Sequence, residues 1–168
     1  MSTSNMADAV QYLTFRLQDE TYAVDVANIR EILDFTNITK VPRTPDFMRG
    51  VFNLRGSVVP VIDLKQRFGM SFTEKTASTC IIVMELHIGG ETVVIGSLAD
   101  AVQEVLELEP DRIEPPPRIG TGIDAAFIRG IGKHSDRFLI ILDIDRIFSF
   151  DDMSVLRLED EAGSGKNE

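Results

Sequence analysis

Near the start of the chain, apolar and polar residues alternate. Leu13, Phe15 and Leu17 interleave with Thr14 and Arg16, a period of two that turns one face of a strand inward. Gln18-Asp19-Glu20 supplies a turn, after which Tyr22, Val24 and Val26 resume the alternation. Two later runs are apolar on both faces: Val58-Val59-Pro60-Val61-Ile62 and Phe138-Leu139-Ile140-Ile141-Leu142. Both are short and rich in β-formers, which predicts buried strands rather than helices. Pro60 lacks the N–H a ladder needs, so its position is expected at an edge or a bulge. Helices are few. Ser149 followed by Asp152 resembles a capping box ahead of Met153, Val155, Leu156 and Leu158, and shorter helical turns are expected at 26–29 and 64–68. Residues 1–9 and the acidic, Gly/Ser-containing stretch 159–168 cannot bury enough apolar surface to offset the entropy of ordering.

An internal repeat organises the pattern. At an offset of 80, Phe47-Met48-Arg49-Gly50-Val51 lies over Phe127-Ile128-Arg129-Gly130-Ile131, and the register runs without a gap to Phe68 and Phe148. Five of the 22 positions are identical and seven more exchange one apolar residue for another, which is enough to suspect duplication. At an offset of 73, Ile29-Arg30-Glu31-Ile32-Leu33 lies over Val102-Gln103-Glu104-Val105-Leu106. Two blocks in one order make the repeat, and the differing offsets place seven extra residues in the second copy, around Pro110 and Pro115-Pro116-Pro117. Each copy has the size of a small five- or six-stranded barrel, marginal alone and expected to pack on its twin. The expected fold is all-β, with one barrel over residues 10–78, another over 79–150, and a short helix with an acidic tail over 151–168. The N-terminal strand could instead pair with the second barrel.

Composition narrows the chemistry. The chain has 168 residues, with 27 acidic against 17 basic side chains and a formal charge of −10, which argues against nucleic acid or an anionic membrane as partner. No apolar run approaches a membrane span, and the N-terminus has no signal-peptide pattern, so a cytosolic location is expected. Cys80, the single cysteine, sits in an apolar run and reads as a buried strand thiol. His87 and His134 lie in no ligand pattern, and Gly163-Ser164-Gly165-Lys166 lacks the spacing and helix of a phosphate loop. Gly120-Thr121-Gly122 is too little for a dinucleotide site, and Asn37-Ile38-Thr39 is a glycosylation triplet without a secretion signal. No carboxylate pair has a recognisable acid–base spacing. No enzyme, metal or cofactor is expected.

The two copies separate scaffold from specialisation. Gly50 and Gly130 occur in both and mark a backbone position that needs a small residue. Asp63 and Asp143 also occur in both, and are expected to hydrogen-bond backbone near a strand end. The intervening hairpin differs: Asn53-Leu54-Arg55-Gly56 in the first copy, Lys133-His134-Ser135-Asp136 in the second. Hairpin geometry therefore does not require Arg55, which reads as a charged anchor beside apolar surface.

The stretch Gly50-Val51-Phe52-Asn53-Leu54-Arg55-Gly56-Ser57-Val58-Val59-Pro60-Val61-Ile62-Asp63-Leu64 resembles the CheW family of chemotaxis coupling proteins. Tyr22-Ala23-Val24-Asp25-Val26, Ile29-Arg30-Glu31-Ile32, Val41-Pro42 with Pro45, and the return from Gly130 to Ile144 extend the resemblance over roughly 12–150. It implies two SH3-like five-stranded barrels in pseudo-twofold arrangement, and a non-enzymatic adaptor. The partners it implies are the cytoplasmic hairpin tip of transmembrane chemoreceptors and the CheW-like regulatory domain of a CheA-type histidine kinase. It further implies receptor contacts at Ile29, Glu31, Arg55 and Val105 in a groove between the barrels, where apolar helix residues enter and rim charges fix register. The kinase contact falls around the loop from Ile113 to Ile119, which departs from the family in Glu114 and its three prolines. With no room for a receiver or kinase domain, a stand-alone coupler is expected. Two other readings remain: a coupler for surface motility or development, and a small-ligand sensor using the inter-barrel groove.

Overall fold

A computed structural model describes residues 9–116, 125–148 and 152. The sequence pattern becomes eleven strands: β1 (Val10–Leu17), β2 (Glu20–Asp25), β3 (Ile29–Asp34), β4 (Met48–Leu54), β5 (Ser57–Ile62), β6 (Cys80–Ile88), β7 (Glu91–Ala99), β8 (Ala101–Leu108), β9 (Ile113–Glu114), β10 (Ile128–His134) and β11 (Arg137–Leu142). Two one-turn helices follow the matched hairpins, α1 (Leu64–Arg67) and α2 (Ile144–Ile147). Val26–Asn28 forms a 3-10 turn, as expected there. The helix expected after Ser149 lies outside the described residues.

The strands form two curled sheets of matching plan, ordered β3-β6-β7-β5-β4 and β8-β1-β2-β11-β10-β9. This is the pair of SH3-like barrels expected of the chain, but its division differs from the expected cut between 78 and 79. The first barrel takes β3, β4 and β5 from the first half of the chain and β6 and β7 from the second; the second barrel takes back β1 and β2. Each half thus lends its leading hairpin to the other, as the alternative pairing of the N-terminal strand anticipated in part. The cause is local: β2 ends in the turn at Val26–Asn28 and β7 reaches β8 through Asp100 alone, so neither hairpin can fold back beside the strand that follows it.

The symmetry extends to irregularities. An extra residue bulges at Arg30 in β3 and at Gln103 in β8, and again at Arg49 in β4 and Arg129 in β10. Next to the second pair stand Gly50 and Gly130, where a further segment crosses close by. A Cβ on Gly50 would collide with the Thr39 carbonyl oxygen, and one on Gly130 would lie 2.7 Å from that of Glu114. Thr39 bridges Val51 as Glu114 pairs with Ile131, so the crossing segments correspond at an offset of 75. The seven-residue excess therefore splits, two residues before β9 and five after it. Pro60 lies in an interior strand, yet β5 pairs with parallel β7 only at Val61 and Ile62, so no ladder is formed on that side at the proline.

Each barrel has a small interior cluster, and a larger core fills the space between the two. Val59, Val61, Ile81 and Leu98 lie in the first interior, and Tyr12, Leu106, Leu139 and Ile141 in the second. The shared core takes Phe15, Tyr22, Ile62, Leu64, Ile82, Met84, Leu142 and Ile144 from both sheets and both short helices. At its centre the packing is reciprocal: Phe47 meets Phe148 at 5.7 Å between ring centroids, and their repeat equivalents Phe127 and Phe68 meet at 6.0 Å. The phenylalanines kept in both copies thus serve the contact between copies. Arg67 breaks the symmetry. Its Nε and Nη2 donate to the Ile147 carbonyl at 2.9 and 2.7 Å, and its guanidinium lies over Phe47, Phe127 and Phe148. Ile147 is the residue equivalent to Arg67, so this side chain reaches its own counterpart.

Asp63 is buried and does what was expected, accepting from the Thr73 backbone N–H at 2.9 Å and the Thr73 hydroxyl at 2.6 Å, with the Arg49 guanidinium at 3.3 Å. Asp143 differs: its carboxylate faces Arg146 and Arg129 at 3.5 and 3.9 Å. What the two aspartates share is the backbone bond from their N–H to Phe47 and Phe127, respectively. Lys65 is buried on α1 and paired with Asp100 at 3.1 Å, at the point where the chain crosses between sheets.

Candidate partner-binding surface

Strand β3 is an edge of the first sheet, and its bulge decides what each side chain meets. Ile29 and Ile32 face the same way as Met84 and Ile82, toward the shared core, whereas Glu31 faces with Val83 toward the barrel interior. Ile29 packs partly on that core; Ile32 is 44% exposed. From the opposite edge, the β4–β5 hairpin brings Arg55, held in a left-handed turn at φ 52° and stabilised by Gly56 N–H donating to Asn53 Oδ1 at 2.7 Å. The Arg55 guanidinium forms a forked pair with the Glu31 carboxylate, Nη1 to Oε2 at 2.7 Å and Nη2 to Oε1 at 2.8 Å. The Arg55 side chain remains 70% exposed. Two expected site residues, Glu31 and Arg55, therefore meet, while Ile29 lies on the opposite face of the same strand.

The Arg55 hydrogen bond, followed by the charge of the same group, holds the Glu31 carboxyl below its ordinary value. Because the folded value is depressed, the pair contributes above the ordinary carboxylate range, and the contribution fades as pH falls through the lowered value. Both groups meet solvent, so the contribution is small and screened by salt. In an NMR titration, Arg55→Ala is expected to return the Glu31 midpoint to the ordinary carboxylate range; an unmoved midpoint would disprove the assigned cause.

Val105, the fourth expected residue, stands on β8 of the second barrel, 52% exposed and at the position equivalent to Ile32. Its neighbour Val102, equivalent to Ile29, likewise packs on the shared core. Two residues that sequence reasoning missed complete the match. Arg137 pairs with Glu104 at 3.2 Å, and Glu104 is the equivalent of Glu31. Phe138, 65% exposed, is the equivalent of the exposed Val58. The signal was present in the repeat, since exposed apolar residues fall on equivalent positions of both copies. The arginines do not: Arg55 aligns with Ser135 and Arg137 with Ser57. Ile113 is half-buried against the second interior with its methyl group above Gly130, while Ile119 lies outside the described residues.

Cys80 is buried, and burial pushes its thiol pKa up. Among the described residues, no three His, Cys, Asp or Glu side chains gather as metal ligands, and no helix is long and apolar enough to cross a membrane. Three surface cavities of about 280, 570 and 640 Å³ are not lined by Ile29, Glu31, Arg55 or Val105.

Fold and surface together define a duplicated-barrel domain with exposed apolar and charged side chains on repeat-equivalent edge strands. The family model for the CheW-like domain matches residues 11–152, and the chain belongs to that family. It is 34% identical over 149 residues to chemotaxis protein CheW of Klebsiella aerogenes, covering 87% of this chain and 86% of that protein. It is 32% identical over 148 residues to chemotaxis protein CheW of Thermotoga maritima, covering 84% and 91%. Among solved structures, scaffolding protein TtCheW from Thermoanaerobacter tengcongensis matches with a TM-score of 0.74 at 40% identity, over 83% of this chain and 92% of that one.

Proposed function

We propose that this chain is a non-enzymatic chemotaxis adaptor that couples transmembrane chemoreceptors to a CheA-type histidine kinase. The observation that carries the reading is the CheW-like match from residue 11 to 152, which runs through both barrels rather than one. The receptor's helical hairpin tip docks at Ile29, Glu31, Arg55 and Val105. There the apolar side chains take up the helix face, and the exposed Arg55 exchanges its fork between Glu31 and a partner carboxylate. The kinase's CheW-like domain docks at the end of the second barrel around Ile113, and on Ile119 further along the same loop in sequence. The protein works in the cytoplasm and is recruited to receptor arrays by these contacts.

Arg55→Asp tests the reading. An exposed pair contributes little to folding, so the variant is expected to unfold at the same denaturant concentration as wild type. Receptor binding should fall about tenfold, because the reversed charge meets the partner carboxylate with repulsion where Arg55 attracted it. In co-sedimentation, receptor-containing membranes should retain the kinase only when the wild-type chain is present. Equal kinase retention with and without the chain would sink the bridging role.

A further inference from the structure

We propose that a second copy of this chain is itself a partner, with the N-terminal hairpin β1–β2 of each copy completing the second barrel of the other. The hairpin's long-range ladders are all to residues far along the chain: β1 pairs with β8 from Val10 to Arg16, and β2 with β11 at Tyr22 and Ala23. Its covalent tie to that sheet runs through the whole first barrel, by way of the turn at Val26–Asn28. An identical second barrel on another chain presents the same β8 and β11. The exchange is one the fold already performs internally, since β6–β7 of the second half completes the first barrel.

The turn has the geometry of a hinge. Asp25 on one side has φ −59° and ψ 129°, and Ile29 on the other has φ −99° and ψ 133°, so both flanks are already extended. Only Val26, Ala27 and Asn28 must leave the 3-10 conformation, held by Asp25 Oδ1 accepting from Ala27 N–H at 2.8 Å and by the Ile29 N–H on the Val26 carbonyl. Straightened, residues 20–34 become one strand-like segment of about 50 Å, at about 3.3 Å per residue. That carries the hairpin clear of its own second barrel and keeps its ladders and core contacts on the neighbour. Closure within one chain enjoys a high effective concentration, so monomer prevails when dilute. A hinge too short to turn reverses that balance.

The experiment removes Ala27 and Asn28 from the full chain, in a Cys80→Ala background carrying Gln11→Cys and Glu107→Cys. Gln11 and Glu107 are exposed and directly opposed across β1 and β8. The variant is expected to elute at twice the monomer mass, and oxidation should give a covalent dimer on a non-reducing gel. The same cysteine pair with the hinge intact should give only intramolecular cross-links when micromolar. After unfolding in urea and refolding at millimolar concentration, that intact-hinge protein should give covalent dimer; this second arm stands even if the deletion fails to fold. A folded monomeric deletion variant, a dimer whose cross-links stay within each chain, or refolding that yields monomer alone at every concentration would overturn the proposal.

Discussion

Expressed separately, residues 1–78 and 79–168 are expected to show no cooperative unfolding transition, and mixing them is expected to restore one. The expectation follows from where the ladders run. Within the first half only β1–β2 and β4–β5 pair; within the second, β6–β7 and β10–β11 with the short β9. Every ladder that joins these hairpins into sheets, namely β1–β8, β2–β11, β3–β6 and β5–β7, crosses from one half to the other. Isolated hairpins are marginal in water, and the shared core would lose one of its walls in either fragment. Circular dichroism of each fragment and of the equimolar mixture checks this. A fragment that unfolds cooperatively by itself would refute the exchanged arrangement.

The second large effect concerns the equivalent aspartates. Asp63→Ala is expected to cost about 3–5 kcal/mol, since it strands the buried Thr73 N–H and removes the carboxylate from Arg49. Asp143→Ala should cost about 1 kcal/mol or less, because its ion pairs are long and partly solvated. Urea denaturation of both variants at an unchanged m-value checks the contrast. Equal losses would refute the difference drawn between the two carboxylates, since alanine leaves the backbone bonds to Phe47 and Phe127 in place.

Much of the architecture was legible because strand periodicity and the repeat are local properties of the chain. The bulges and the reciprocal phenylalanines fall on residues equivalent at the offsets of 73 and 80, whereas the crossing segments correspond at 75, which neither offset gives. Partner choice was not legible. The apolar run at Cys80 to Met84 predicts a strand buried on both faces, but nothing in it specifies whether it lies beside β3 or within the half that follows. Assigning each strand to the nearer barrel was reasonable, and the short connections at Val26–Asn28 and Asp100 defeat it. For the candidate surface, Arg55 stood out through its absence from the second hairpin, but its pairing with Glu31 joins strands at opposite edges of a sheet. Arg137 escaped notice for the converse reason, since it reaches an equivalent glutamate from a non-equivalent position. Arg67 and Lys65 carry no signal in the sequence, and only the packing reveals that one clamps the centre and the other neutralises Asp100.

The reciprocal phenylalanine contacts and the common core between the barrels have a mechanical consequence. Turning one barrel against the other would have to break those ring contacts and open the common core, so a partner that grips either barrel takes hold of both.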